Sequence, residues 1–371
     1  MLGINCTVFE QEHFLNERQR DWSFGIYWAQ SSLTECIPQS LLSRLNTAQV
    51  DPLHPPSPDD FIQVLNGKTT EELKSVPTPN YGKRLSNMWN KETKITATFE
   101  DGSELTGDLL VGADGSKSIV RKYLLSPEIA VLQPLPIMGL HATLILPSEL
   151  AKKMVAELQD QVAVLTLHPA GLCVFFSIHQ IPDHERPETW TWMPTMTFRH
   201  EGGHDGLTNP AEIRSVWDQY AEKFAEPFRS ALLSLPQDAV IWRERLSQWP
   251  TVAWDNHQGS VTLAGDAAHP MTYPTFTKTD SDIQFSPADR GQGLNNAVHD
   301  AGNLCRALDQ HVHDGKPLAD VMAAYEAELV ERGREAVISS GQNSMMAHDW
   351  EQLKLSPLFT QGIAGRGNGG R

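Results

Sequence analysis

Two short stretches of the 371-residue sequence bring together residue types that binding chemistry needs. In "DLLVGADGSKSIVR" an apolar run delivers Asp114 and Gly115 into a turn; in "VTLAGDAAHP" a second apolar run delivers Gly265 and Asp266, then two alanines, His269 and Pro270. A carboxylate at the C-terminal end of a buried strand can accept a ligand hydroxyl, and small neighbours let a bulky ligand lie against the backbone. A third stretch, "RGQGLNNAVHDAGNL", places Gly291, Gln292, Gly293 and Leu294 at the start of a helical pattern. The free N–H groups and the dipole at such a start favour negative charge. Taken singly, each stretch is also an ordinary loop into a helix; their order and combination point to a binding site.

The elements that must position these groups follow from the pattern. "INCTVFE" alternates and ends on Glu10, as the second strand of a dinucleotide-binding unit does when its carboxylate accepts a ribose hydroxyl. An aromatic-rich stretch around Gly25 and Ile26 follows, then a helical segment, "SLTECIPQSLLSRLN", and a proline-rich loop, "VDPLHPPSPDDF". From Lys94, "KITATFEDGSELTGDLLVGADG" predicts a hairpin that turns at Asp101-Gly102 and runs into a strand buried on both faces. Ser116 to Arg121 then open a helix. The middle of the chain, "LPIMGLHATLILP", "VAVLTLHPAGLCVFFSIHQI" and "TWTWMPTMTFRH", predicts antiparallel strands. "NPAEIRSVWDQYAEKFAEPFRSALLSL" predicts a helix with Asn209 as N-cap, Pro210 at its first position and Glu212 placed for a capping box. The Gly291 helix and a long C-terminal helix, "LADVMAAYEAELVERGREAVISS", complete the chain.

Composition narrows the class of partner. A formal net charge of −16 argues against a nucleic-acid surface or a polybasic membrane patch. No apolar run reaches membrane-spanning length, and no signal-peptide pattern stands at the N-terminus, so a soluble, cytoplasmic protein with a small-molecule ligand is expected. Cys6, Cys36, Cys173 and Cys305 are scattered without CxxC pairing, which suits reduced thiols and not zinc. His311 and His313 read as solvated and no metal site is expected. Trp190 and Trp192 alternate on a strand and read as core, with a substrate pocket as the alternative.

Acidic strand end, "DLLVGADGSKSIVR", "LAGDAAHP" and "GQGLNNAVHDAGNL", in that order around an antiparallel insertion, resemble the FAD-dependent aromatic-hydroxylase-like (class A) flavoprotein monooxygenases, especially those of fungal secondary metabolism. The resemblance spans most of the chain. It implies an α/β fold: an FAD-binding Rossmann-like domain of the glutathione-reductase type with an inserted antiparallel-sheet substrate domain. The parts expected are residues 1–50, 81–132 and 253–345 for the FAD domain, 51–80 for a proline-rich connection, 133–252 for the substrate domain and 346–371 for a tail. By resemblance, Glu10 would bind the adenosine ribose, and Gly25 and Ile26 would lie beside the isoalloxazine. Asp114 and Gly115 would serve FAD and the reduced pyridine nucleotide. Asp266 would hold the ribityl chain, Gly265 and Pro270 would also bind the cofactor, and Gly291, Gln292, Gly293 and Leu294 would face the flavin's pyrimidine edge. The implied activity is NAD(P)H- and dioxygen-dependent hydroxylation or epoxidation of a small aromatic or polycyclic metabolite, with no catalytic side chain singled out.

Three departures accompany the resemblance. No GxGxxG stands before Glu10, so the chain is expected to enter the nucleotide fold at its second strand; the GxGxxG at Gly365, Gly367 and Gly370 reads as tail. No helix carrying an arginine precedes the hairpin, where Arg84 is too close to replace one. "MTYPTFTKTDSDIQFSPAD" separates Pro270 from the glycine-rich helix and reads as an exposed loop. Three readings are therefore open from sequence: a monooxygenase, a flavin oxidase or dehydrogenase without oxygen transfer, and a flavin-free binding protein.

Overall fold

The computed structural model describes residues 4–9, 26, 29–42, 45, 49–51, 53, 61–69, 72–77, 94–98, 104–159, 161–201, 206–272 and 292–355. Helices α1 (Gln30–Cys36) and α2 (Gln39–Leu42) come first, parted at Pro38, whose ring cannot continue a helix. Strands β1 (Phe61–Asn66), β2 (Glu72–Pro77), β3 (Ile95–Thr98), β4 (Glu104–Gly107) and β5 (Leu110–Gly112) follow, then α3 (Ile119–Leu124) and α4 (Pro127–Ala130). Next are β6 (Gln133–His141), β7 (Leu144–Ile145), α5 (Ser148–Leu158), β8 (Ala163–His168), β9 (Leu172–Gln180) and β10 (Thr191–Arg199). Helices α6 (Pro210–Ala221) and α7 (Phe228–Leu233) precede β11 (Trp242–Gln248) and β12 (Val261–Leu263). Helices α8 (Gln292–Val312), α9 (Leu318–Ala347) and α10 (Trp350–Leu355) close the described chain.

Two cores organise these elements. An eight-stranded sheet runs β11-β6-β10-β9-β8-β1-β2, with β7 on β10; every pair is antiparallel except β1 with β8. Strand alternation turns Met138, Leu140, Val174, Phe176, Trp192, Met196 and Phe198 into one apolar core with Met154, Trp217 and Phe228 from α5, α6 and α7. The second core surrounds the parallel pair β5–β12 and takes Val120 from α3, Ala307 from α8, and Val321, Met322, Tyr325 and Leu329 from α9. Strands β3 and β4 form the expected hairpin beside it, its Asp101-Gly102 turn lying outside the described residues.

Several sequence expectations need correction. Residues 4–8 form no strand, and Phe9 makes only an isolated bridge; Ile4 and Val8 are exposed, so the alternating run has no face to bury. The stretch 51–80, read as a connection, contains the β1–β2 hairpin, which extends the sheet built by residues 133–248. The prolines upstream masked a pattern that becomes strand-like only at Phe61. Helix α3 starts at Ile119 and not at Ser116, because Ser118 is its N-cap and accepts from the Arg121 N–H at 2.9 Å. The helix predicted from Pro210 is two helices, α6 and α7. Asn209 does cap α6, accepting from the Ala211 N–H at 2.9 Å. Trp190 and Trp192 are both core, as expected. Helix α5 and strand β11 escaped the sequence reading. In α5, Ala151, Met154 and Leu158 do supply a buried face, but β11 is an edge strand whose charges hide its single buried Leu246.

Candidate functional site

The "GDAAHP" loop leaves β12 through a tight turn at Gly265–Ala267. Gly265 has φ of +60°, and a Cβ there would stand 3.1 Å from the Ala297 Cβ on α8, so conformation and packing both require glycine. Most of the loop's backbone groups are held. The Ala264 N–H donates to the Gly112 carbonyl at 2.9 Å, joining the loop to the end of β5. Tyr325 donates to the Leu263 carbonyl and Thr251 to the Ala268 carbonyl, each at 2.9 Å, and the Trp249 N–H donates to the Pro270 carbonyl at 3.1 Å. Pro270 itself is buried. A loop satisfied in this way has little freedom, which suits a ligand cradle.

Two buried charges complete the clamp. The Arg121 guanidinium, on α3, donates to the carbonyls of Ala267 (2.9 Å), Asp266 (3.4 Å), Ala130 (3.2 Å) and Ser116, and lies 4.9 Å over the Trp249 ring. Burial pulls its pKa down to about 10, against the opposing pull of Asp114 and Asp266. Arg121 thereby ties the "ADGS" turn to the "GDAA" turn. On α8, Asp300 accepts from the Gly265 N–H at 2.7 Å, meets His269 Nε2 at 2.7 Å and accepts from Arg332 Nη2 at 2.5 Å. Burial disfavours its charge, but His269, Arg332 and the Gly265 N–H outweigh that and hold the carboxyl below its ordinary value.

Asp266 is different. Its side chain is solvent-exposed, and among the described residues no hydrogen bond or ion pair reaches its carboxylate. Surrounding protein nonetheless raises its pKa, with Asp300 adding and His269 and Arg121 opposing. Facing it is the first turn of α8: a Cβ on Gly293 would stand 3.3 Å from Asp266 Oδ1. Gly293 and Leu294 are partly buried and Gln292 fully so. Buried Ile26 precedes α1, where the Ala29 N–H donates to Asn295 Oδ1 at 3.4 Å, one turn into α8. Three predicted groups, Ile26, the Gly265–Pro270 loop and the α8 start, thus converge on one region. Asp114 is occupied otherwise: it accepts from the Ser118 hydroxyl and from the N–H groups of Ile119 and Val120, capping α3, while Gly115 turns the chain with φ of +73°. Glu10, Gly25 and Gly291 lie outside the described residues, as do Arg84 and the 273–290 stretch.

A profile for the FAD binding domain matches residues 70–340. The FAD-dependent monooxygenase cctM of Talaromyces islandicus is 39% identical over 387 residues, covering 98% of this chain and 92% of that protein. The chain belongs to the class A flavoprotein monooxygenases. A second relative of this monooxygenase is phnB of Penicillium herquei, also a FAD-dependent monooxygenase, 30% identical with 97% and 90% coverage. A solved salicylate hydroxylase substrate complex shares the fold at a TM-score of 0.62 and 14% identity, over 90% of this chain and 84% of that one.

The donor set of the monooxygenase site fits a flavin dinucleotide. An unpartnered carboxylate beside a helix start suits the hydroxyls of a ribityl chain, and a glycine-lined helix start suits an anionic ring edge. Sequence reasoning passed over the residues that set this geometry: Arg121, Asp300, Arg332 and Asn295. A signal existed in α8, where Asn296 and Asp300, four residues apart, share the buried stripe with Ala307, which an amphipathic helix does not normally permit. Among the described residues no group of His, Cys, Asp and Glu is arranged to hold a metal ion. His311 meets the Lys316 carbonyl and His313 meets Asp309, both exposed. No described helix is long and apolar enough to cross a membrane.

Proposed function

We propose that this monooxygenase holds FAD with the Asp266 carboxylate on the ribityl hydroxyls and the α8 start at the pyrimidine edge, accepts reducing equivalents from NAD(P)H, and hydroxylates or epoxidises a small aromatic or polycyclic metabolite in secondary metabolism. Asp266 carries the reading: it is a carboxylate without a partner among the described residues, placed against Gly293 by a loop whose backbone is largely hydrogen-bonded. FAD, when bound, supplies hydride acceptance and reaction with dioxygen. The chain's own contribution is orientation and exclusion of water. The substrate wall proposed is the face of the large sheet opposite its apolar core, where register places His141, Thr195 and Phe175 side by side. The end of β10 and the residues just after the "GDAAHP" loop are linked through the end of α9: Thr272 meets Ser344, whose carbonyl meets His348, which meets Thr197. The salicylate hydroxylase likeness supports an aromatic ligand for that wall.

The test is a purified chain titrated with FAD, then mixed anaerobically with NADH or NADPH and exposed to isotopically labelled dioxygen with a panel of phenols and polycyclic aromatics. One labelled oxygen atom in a product supports the reading. Flavin reduction followed by oxidation of substrate without label would assign oxidase or dehydrogenase chemistry instead. Absence of FAD binding would assign neither and overturn the site.

A further inference from the structure

Cys36, at the last turn of α1, and Cys305, in the middle of α8, are 269 residues apart in sequence, yet their Sγ atoms stand 3.8 Å apart. The contact belongs to a closely packed helix pair. Gly302 makes room for α1, since a Cβ there would lie 2.8 Å from the Ser32 Cβ. One turn from the thiols, Ser32 Oγ meets His299 Nδ1 at 3.5 Å, and beside them Glu35 pairs with Arg306. Neither residue is sealed in the core: Cys305 is exposed and Cys36 half-buried, whereas Cys173 is buried. A hydrogen bond from the Cys36 thiol draws Cys305 down to about 6; partial burial and Glu35 oppose this and Arg306 assists. The same contact raises Cys36 and keeps it protonated. One sulfur is thus a nucleophile and the other its resolving partner.

We propose that Cys36 and Cys305 form a reversible disulfide, clamping α1 to α8, when the chain meets hydrogen peroxide. The Cys305 thiolate attacks one peroxide oxygen, the O–O bond breaks, and hydroxide leaves to take up a proton as water, giving a sulfenic acid. The Cys36 sulfur then attacks the sulfenic sulfur; the S–S bond forms, the S–O bond breaks and a second water leaves. Two thiols lose two electrons and two hydrogens, and one peroxide is reduced to two waters. Closing the gap to a disulfide length of about 2.05 Å asks for side-chain adjustment of under about 2 Å. The clamp borders the site, because α1 begins at the Ala29–Asn295 hydrogen bond.

The experiment treats the wild-type chain with hydrogen peroxide, blocks remaining thiols with a maleimide and maps peptides by mass spectrometry. The expected product is a Cys36–Cys305 linked peptide within one chain, lost on treatment with dithiothreitol. Before oxidation, Cys305 should label roughly tenfold faster than exposed Cys6 at neutral pH. In Cys36→Ser, a dimedone adduct should collect on Cys305. Links through Cys6, links between chains, or separate sulfinic acids on Cys36 and Cys305 would overturn the proposal. The wild-type peptide map decides the matter even if the variant does not fold.

Discussion

Around the eight-stranded sheet, Phe176, Trp192, Trp217 and Phe228 are buried at 0% exposure among other apolar side chains. Around the β5–β12 pair, the equally inaccessible groups include Arg121, His269 and Asp300. The first region is held by apolar burial, which is strong and non-directional. The second is held by charge-assisted hydrogen bonds, which lose strength steeply with distance and angle. The difference matches the tasks proposed for them. A substrate wall tolerates repacking, whereas a loop presenting one carboxylate to one ligand hydroxyl must be fixed to about an ångström. Changes in the sheet core should therefore reduce stability alone, and changes in the loop clamp should reduce stability and cofactor affinity together.

The largest effects test that division directly. Arg121→Met leaves the carbonyls of Ala130, Asp266 and Ala267 without their buried donor. A loss of about 3 to 5 kcal/mol is expected by denaturant titration, together with loss of measurable FAD binding. Trp217→Ala, in the sheet core, should destabilise by a similar figure of about 3 to 5 kcal/mol. Its FAD affinity, measured where the variant remains folded, should match wild type. Equal loss of FAD binding in both variants would erase the distinction between the two regions.

Asp266→Ala should reverse the usual sign. Its folded pKa is raised by the crowding around it, so wherever the carboxylate is ionised its charge opposes folding. Removing it should leave the flavin-free chain as stable as wild type or slightly more so. FAD affinity should fall by about ten- to a hundredfold, from the loss of a charge-assisted hydrogen bond of about 1.5 to 3 kcal/mol. Unchanged fluorescence titration with FAD would remove Asp266 from the site.

How far the sequence foretold the molecule depends on the same contrast. Periodicity exposed β6, β8, β9 and β10 because alternating apolar residues leave a local trace. It exposed "GDAAHP" because Gly265 and the alanines are required by conformation and close approach. The Arg121 clamp left no such trace, since its acceptors are backbone carbonyls of Ser116, Ala130, Asp266 and Ala267, contributed by segments up to 146 residues away. Asp114 shows the limit from the other side. Its position at a strand end reads as a ligand contact, but a carboxylate four residues before Ser118 also suits the cap it forms on α3. The Cys36–Cys305 contact is invisible for a third reason: spacing rules find local thiol pairs, and this pair is made by the packing of α1 on α8.

Two tryptophans sharpen the comparison inside the sheet core. Trp217 donates its indole N–H to the Leu232 carbonyl at 2.9 Å, whereas the Trp192 N–H has no acceptor among the described residues. Phenylalanine removes a ring of similar size at either place. Trp217→Phe should cost about 1 kcal/mol more than Trp192→Phe, because only the first leaves an acceptor stranded while the second relieves an unpaired donor. Equal denaturation midpoints would mean that directional bonds contribute nothing in this region.

The smallest expected effect is a pH slope. His348, at the end of α9, is buried, and that burial lowers its pKa; bonds to the Ser344 carbonyl and Thr197 oppose the shift, and Arg199 adds to it. A histidine held neutral in the folded chain but protonated in the unfolded one binds fewer protons when folded, so stability rises with pH. The window runs from the lowered folded value up to the ordinary 6.5. Stability should therefore fall as pH drops from about 7 to about 5, by at most about 1.4 kcal/mol per pH unit for one such group. His168 and His299 are lowered by burial as well and add to the slope. Asp300, held below its ordinary value, keeps its charge and its contribution throughout that window, losing it only when pH falls through its own lowered pKa. His348→Asn, which keeps a polar group near Thr197 but cannot titrate, should flatten the slope without changing FAD affinity near neutral pH. An identical slope in wild type and His348→Asn would show that His348 takes up its proton alike in the folded and unfolded chain, and would leave the acid sensitivity to His168 and His299.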